Sequence, residues 1–217
     1  MILAQIQVLQ WKSLQEVNNM KSIYIYGASG HGLVVAEIAI ACGYDNIIFI
    51  DDGENDYPKF EDVKINNHIP IAFGIGNNSV RKKLLKKLLE YNFKILTLVH
   101  PSAIISPSTT LGIGTVVMPN VIINAKTIVG KACILNTGCI IEHENLIEDF
   151  VHLSPSVSLA GNVTIGYLSH LGINSCIIQG LNVGYNCVIG AGSVVTKNIN
   201  NLKKAYGNPC KEIEDIK

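Results

Sequence analysis

The sequence predicts an α/β, Rossmann-like N-terminal domain followed by an all-β parallel β-helix of hexapeptide repeats. Two observations carry this. From Ile105 to Val195 every sixth residue is aliphatic, for sixteen consecutive positions without a slip. Ahead of the repeat, the apolar run Ser22–Tyr26 leads through Gly27-Ala-Ser-Gly-His-Gly32 into a helical stretch. That is the order of a βαβ unit with a glycine-rich first turn. A six-residue spacing fits neither the two-residue period of a strand nor the roughly 3.6-residue period of a helix. It marks a solenoid in which three hexads form one triangular coil, with the repeated residue pointing inward.

Composition narrows the function classes. The 217 residues suit one or two domains. At 48% apolar, 16% charged and zero formal net charge, the chain does not read as disordered and has no basic surplus to suggest a nucleic-acid partner. The cysteines Cys42, Cys133, Cys139, Cys176, Cys187 and Cys210 show no zinc-type spacing and read as free thiols in a reducing cytoplasm. Cys133 and Cys139 hold equivalent hexad positions, as packing residues would. No apolar run reaches the roughly 18 uncharged residues of a membrane span, so none is expected. Residues 1–19 lack a signal-peptide layout. They read as a short appendage, or as sequence upstream of a natural start at Met20.

Residues 20–98 form the expected Rossmann-like domain. After the first strand, Leu33–Cys42 reads as a helix ended by Gly43, and Ile47–Ile50 as a second strand closed by Asp51 and Asp52. Glycines let backbone approach a ligand, and the free N–H groups of a helix start favour a phosphate. The spacing of Gly27, Gly30 and Gly32 around His31 departs from GxGxxG. A pyrophosphate, whether of a nucleotide-sugar or of NAD, fits such a turn; a purely structural turn is the alternative. Asp52–Asn67 reads as a loop, and Ile69–Ile75 as a strand ending at Asn77 and Asn78 on the ligand side of the sheet. Asn78 can also cap the next helix. That helix, Ser79–Tyr91, sets Leu84, Leu85, Leu88 and Leu89 on one face against a solvated Lys/Arg face. Phe93–Val99 reads as a last strand before the repeat, and His100 as a structural residue at the junction.

Residues 99–197 form the expected β-helix, whose glycines suit its corners, and 198–217 a turn-rich cap. Uniform hexads need only aliphatic residues inside, so departures stand out. The first is Ile141-Glu-His-Glu144: His143 beside a carboxylate, Glu142 or Glu144, is a candidate general base. The second is His152 and His170, one coil apart and expected to stack, with no in-phase Cys or carboxylate to complete a metal site. The third is Gly161, one coil above His143, with Gly172 and Ile173 further along. Small residues there suit a long amide-rich ligand such as the pantetheine arm of coenzyme A. Lys197, Lys203 and Lys204 at the exit either pair with coenzyme phosphates or solubilise the cap. The flat apolar sides of such a prism call for partners, and a closed three-fold ring supplies them.

These motifs, with Gly76-Asn-Asn78, Leu135-Asn136, Ala160-Gly161-Asn162 and Gly172-Ile-Asn-Ser175, resemble the left-handed β-helix acyltransferases. The resemblance is to the NeuD-like branch, and within it to PglD-type enzymes that N-acetylate a UDP-4-amino-4,6-dideoxy sugar. It runs from Tyr24 to Pro209. It implies a homotrimer using acetyl-CoA as co-substrate, with no metal, and His143 as general base oriented by Glu144. It implies that Gly27, Gly30, His31, Gly32, Asp51, Asp52, Asn77 and Asn78 line the nucleotide-sugar pocket, with Asn136 at the acceptor. It places His152, Gly161, Gly172 and Ile173 at the coenzyme. His170 departs from the pattern, since similar members tend to have an aromatic or apolar residue there. The competing readings are an O-acetyltransferase on a sialic-acid-like sugar and a non-catalytic nucleotide-sugar-binding scaffold. An NAD-dependent enzyme is disfavoured by the shifted glycines.

Overall fold

A computed structural model of the chain describes residues 20–216; the reading of residues 1–19 lies outside them. The N-terminal domain is a three-stranded parallel sheet of β1 (Ser22–Tyr26), β2 (Asn46–Ile50) and β3 (Ile71–Phe73), in the order β2-β1-β3. Side chains alternate across β1. Ile23 and Ile25 face a core with Val35, Ile38 and Ala39 of helix α1 (Gly30–Ala41). Tyr24 and Tyr26 face a second core with Phe60, Phe73, Leu84 and Leu88. Phe60 begins a short helix, α2 (Phe60–Val63), in the stretch expected to be a loop. Leu84 and Leu88 belong to α3 (Asn78–Glu90).

Three expectations change here. Phe93–Val99 is not a strand of this sheet: Ile95 makes a single bridge to Ile71, and β4 (Leu98–Val99) already pairs with Val116 and Val117 of the solenoid. The repeat therefore starts one hexad before Ile105. Leu89 is half exposed, and the fourth member of the buried face of α3 is Arg81. The N-cap of α3 is Asn77, whose side chain accepts from the Val80 amide at 3.0 Å; Asn78 is the first helical residue.

The solenoid is a left-handed parallel β-helix of two-residue strands running from β4 to β20 (Val194–Val195), stacked into three sheets. Partners lie one coil apart, as in Ile134↔His152 and Ile141↔Leu159. The inward residues Val117, Leu135, Leu153, Leu171 and Ile189 form one continuous buried row, with Cys133, Cys139 and Cys187 packed into the same core. Every sixth residue from Gly114 to Gly192 turns a corner at positive φ. Few of these corners are glycine; Glu144, Phe150 and Leu168 hold φ of 60°, 63° and 61°. L-residues pay roughly 1–2 kcal/mol for that conformation, so coil stacking, not corner chemistry, fixes the turns. The tail is a hairpin, β21 (Lys203–Gly207) and β22 (Cys210–Asp215), extending one of the three sheets.

That same sheet lies against the N-terminal domain. Its outward residues Leu98, Val116 and Ile134 are 3%, 1% and 1% exposed and join one core with Ile23, Val35 and Ile38. On the other two sheets the equivalent residues stay open: Ile104 is 67%, Ile128 52% and Ile140 40% exposed.

Candidate functional site

The chain presents three groups of predicted site residues. The first is the glycine turn. Gly27 has φ of 111°, and a Cβ on Gly32 would run into the Gly27 carbonyl oxygen. Gly74 completes the contact: a Cβ there would lie 2.5 Å from the Gly27 oxygen and 2.9 Å from the Gly32 Cα. Gly30 is open to solvent space, and α1 begins beside it with no acidic residue in its first turn and no side-chain cap. Its leading N–H groups are thus available to an anion. Asp51 and Asp52 sit at the end of β2 but are engaged within the chain. The Ala28 amide donates to Asp51 Oδ2 at 2.9 Å and the Gly53 amide to Oδ1 at 2.9 Å; both bonds hold this carboxylate below its usual range. Asp52 accepts from Tyr26 Oη at 2.6 Å and from the Phe60 amide at 2.9 Å. Against the opposing effect of burial, these bonds and Lys87 keep it low as well. The acidic pair shapes the turn through the chain's own groups.

The second group lies where the two domains meet. His152 and His170 stack with ring centroids 4.6 Å apart and planes 8° from parallel, as their one-coil spacing predicts. His31 reaches this stack from the start of α1, 6.3 Å from His152 between centroids. Asn136 Nδ2 is 3.3 Å from His152 Nε2, and one coil further Ser154 Oγ is 2.8 Å from His170 Nε2. Burial, then the neighbouring His170, Arg81 and His31, pull His152 down to about 3. Burial and Arg81 pull His31 to about 4 and lower His170 too. Burial thus disfavours the charged form of each ring, and His31 Nε2 is buried without a hydrogen-bond partner. Within one chain His152 thus lies beside His31 and Asn136.

The third group sits at a corner between the two open sheets. His143 follows strand β11 (Ile140–Ile141), and its Nδ1 lies 3.1 Å from Glu144 Oε2. Glu142 is engaged elsewhere, accepting from Asn124 Nδ2 at 2.9 Å, so Glu144 is the carboxylate that holds the ring. The left-handed corner at Glu144 turns its side chain back toward its neighbour. A carboxylate only accepts, so Nδ1 is the ring nitrogen that donates here, and Nε2 has no hydrogen-bond partner among the described residues. Gly161 lies over the ring: a Cβ there would be 2.5 Å from Cε1 and 2.6 Å from Nε2. Gly172 packs as tightly on the backbone of Gly190 and Ala191, while Ile173 is exposed at a different corner. Lys203 and Lys204 at the exit are paired with Asp215 and Glu214 of the hairpin. Among the described residues no group of three or more His, Cys, Asp or Glu is arranged to hold a metal.

Sequence reasoning missed Arg81, Ser154 and Gly74. By composition Arg81 belongs to the solvated Lys/Arg face of its helix, yet it precedes Leu84, Leu85 and Leu88 at the i, i+3, i+4, i+7 spacing of a single face. That spacing was the available signal.

Known proteins resemble the chain in fold and in sequence. Residues 22–88 match the PglD N-terminal domain. Over 109 residues the chain is 36% identical to the UDP-N-acetylbacillosamine N-acetyltransferase of Bacillus subtilis, covering 44% of this chain and 50% of that protein. The chain thus spans about half the length of this curated relative. Among solved structures, the acetyltransferase domain of PglB from Neisseria gonorrhoeae superposes with a TM-score of 0.84 at 34% identity, covering 89% of this chain and all of that one; it is also solved with acetyl coenzyme A. PerB from Caulobacter crescentus, solved with CoA and GDP-perosamine, gives a TM-score of 0.85 at 32% identity over 89% of this chain and 97% of that one. Fold and relatives together define a hexapeptide-repeat acyltransferase of the left-handed β-helix class. Within that class, the chain belongs to the PglD-like sugar N-acetyltransferase family.

Proposed function

We propose that this protein transfers an acetyl group from acetyl-CoA to the amine of a UDP-linked 4-amino-4,6-dideoxy sugar, acting as a homotrimer. The observation that carries the reading is the His143–Glu144 pair under Gly161, which leaves Nε2 free of the carboxylate. The sugar amine, once neutral, attacks the thioester carbonyl of acetyl-CoA. His143 Nε2 takes the proton from nitrogen as the C–N bond forms, and Glu144 steadies the resulting imidazolium. Donors along the groove stabilise the tetrahedral oxyanion. The C–S bond then breaks, and the coenzyme thiolate takes the proton back from His143. No covalent enzyme intermediate and no metal is needed.

Gly27, Gly30, His31 and Gly32, with Asp51, Asp52, Asn77 and Asn78, form the nucleotide-sugar pocket, and Asn136 faces the acceptor. Gly161, Gly172, Ile173 and His152 line the coenzyme path. One chain holds these parts on different faces of the prism. In a trimer built on the open sheets, the His143 corner of one subunit meets the inter-domain pocket of the next. Support for the acceptor class comes from the relatives: PerB holds CoA and GDP-perosamine, and the Bacillus subtilis protein is a UDP-N-acetylbacillosamine N-acetyltransferase.

The test is turnover of acetyl-CoA with purified protein and, in parallel, a UDP-4-amino-4,6-dideoxy sugar, its GDP counterpart and a sugar offering only hydroxyls. Mass spectrometry of the product should show an N-acetyl group on the UDP sugar. Preference for the GDP sugar would overturn the nucleotide assignment. Turnover of the hydroxyl acceptor alone would overturn N-acetylation.

A further inference from the structure

The Arg81 side chain is 1% exposed, at the seam between the domains, and none of its hydrogen-bond partners among the described residues is a carboxylate. All five of its N–H groups are used. Nε donates to the Ala132 carbonyl at 2.9 Å, and Nη2 to the Phe150 carbonyl at 3.1 Å, on two successive coils of the β-helix. Nη1 donates to the carbonyls of Ile75 and Gly76 at 3.2 and 2.7 Å, and Nη2 also to Asn78 Oδ1 at 2.8 Å. Asn78 in turn donates from Nδ2 to the carbonyls of Leu168 and Ser169, at 2.8 and 3.2 Å. The turn after β3 is therefore fastened to three coils of the solenoid through one guanidinium and one amide.

We propose that Arg81 is a positioning residue for acceptor binding, locking the Ile75–Asn78 turn in register with the coils that carry Asn136 and His152. The proposal rests on the acetyltransferase reading above. Three features point to the acceptor and not merely to fold stability. The bonded segment, Ile75 to Asn78, is the part of the N-terminal domain that abuts the glycine turn through Gly74. The Ala132 carbonyl that receives Nε lies two residues before Ile134, which pairs with His152 one coil on. Finally, a buried cation with no carboxylate partner among the described residues adds to the burial that lowers His31, His152 and His170, and it favours an anionic ligand entering beside them. Only a planar fork reaches carbonyls on both domains at once. Lysine has the charge without the fork.

The experiment is steady-state kinetics of wild type, Arg81→Lys, Arg81→Met and Asn78→Ala, varying the UDP-amino sugar and acetyl-CoA separately. Arg81→Lys and Arg81→Met are expected to raise KM for the sugar at least tenfold and leave KM for acetyl-CoA within twofold. Asn78→Ala, which removes two seam bonds and one arm of the clamp, is expected to raise the sugar KM by a smaller factor. A general structural defect would instead lower kcat or the active fraction with both KM values unchanged; that result, or an unchanged sugar KM in folded Arg81 variants, overturns the proposal. Should the Arg81 variants fail to fold, Asn78→Ala decides: a sugar KM within twofold of wild type overturns it. Absence of sugar turnover in wild type overturns the acetyltransferase reading itself, a different outcome from a working wild type with indifferent variants.

Discussion

Gly161 covers the imidazole of His143 so closely that a methyl group there would meet Cε1 at 2.5 Å and Nε2 at 2.6 Å. A Gly161→Ala variant must therefore displace the ring or the coil above it. The ring is the softer of the two, because the Asn162 amide is tied to the His143 carbonyl at 2.9 Å and the coils are locked in register. Misplacing a base by about 1 Å can cost on the order of 100-fold. Gly161→Ala is expected to lower kcat by about that factor with an unchanged melting temperature. Wild-type kcat in this variant would show that His143 does not act from this position.

Removing the proposed base itself should be more costly. His143→Ala is expected to lower kcat by roughly 10²–10⁴-fold and leave acetyl-CoA binding by calorimetry within a few-fold of wild type. Glu144→Gln keeps a hydrogen-bond acceptor for Nδ1 but loses the charge that steadies the imidazolium, so an intermediate loss, about tenfold, is expected. Glu142→Gln should have little effect on kcat, because Glu142 is bonded to Asn124 and not to the base. If Glu142→Gln were the more damaging of the two, the assignment of the orienting carboxylate would be reversed.

The sequence showed the solenoid because an inward residue every sixth position is a packing requirement that no corner chemistry can hide. It also exposed His143, Glu144 and Gly161, since polar and small residues interrupt an otherwise aliphatic pattern. What stayed hidden depended on contacts between distant segments. Arg81 reads as one more surface cation until the β-helix supplies Ala132 and Phe150 carbonyls for it. Phe93–Val99 reads as a strand because it is apolar, but which sheet recruits it is decided by Val116 and Val117, which arrive later in the chain. Glu142 and Glu144 are equivalent in sequence; only the left-handed corner at Glu144 and the reach of Asn124 separate them.

The close glycine contact in the N-terminal domain yields a stability prediction. At Gly74 a Cβ would press on the Gly27 oxygen and the Gly32 Cα, both backbone atoms that cannot rotate away. Overpacking of this kind costs about 1–3 kcal/mol or more. Gly74→Ala is expected to lower the unfolding midpoint accordingly and to weaken UDP-sugar binding. Gly30→Ala, where nothing lies within 4 Å, should be tolerated in stability. Equal stability for both variants would show that the β1–α1–β3 junction relaxes freely.

The inter-domain histidines give a pH dependence. His31 and His152 titrate at about 4 and about 3 in the folded chain, against about 6.5 in the unfolded chain. Between those values the unfolded chain binds more protons, so stability is full above about pH 6.5 and is lost as pH falls toward 4 and below. For His31 alone this is on the order of 3 kcal/mol. Urea midpoints should fall steadily from pH 7 to pH 4, and His152→Gln should flatten that fall. A His152→Gln profile parallel to wild type would place the pH sensitivity outside this stack.

The open faces of the prism carry the last prediction. The N-terminal domain covers one sheet and buries Leu98, Val116 and Ile134, whereas Ile128 and Ile140 remain 52% and 40% exposed in the equivalent rows. Apolar rows on two adjoining sheets suit a closed three-fold ring, in which one sheet of each subunit packs on the other sheet of its neighbour. A charge in either row would then be buried without a partner at every interface. Ile128→Glu and Ile140→Glu are each expected to shift the mass by light scattering from three times 23.5 kDa to that of one chain. The far-ultraviolet spectrum should not change, because both side chains point away from the coil interior. On the proposed trimeric reading activity should fall with the trimer, since the His143 corner then lacks the neighbouring subunit's inter-domain pocket. A variant monomer with wild-type kcat would show that one chain holds a complete site by itself.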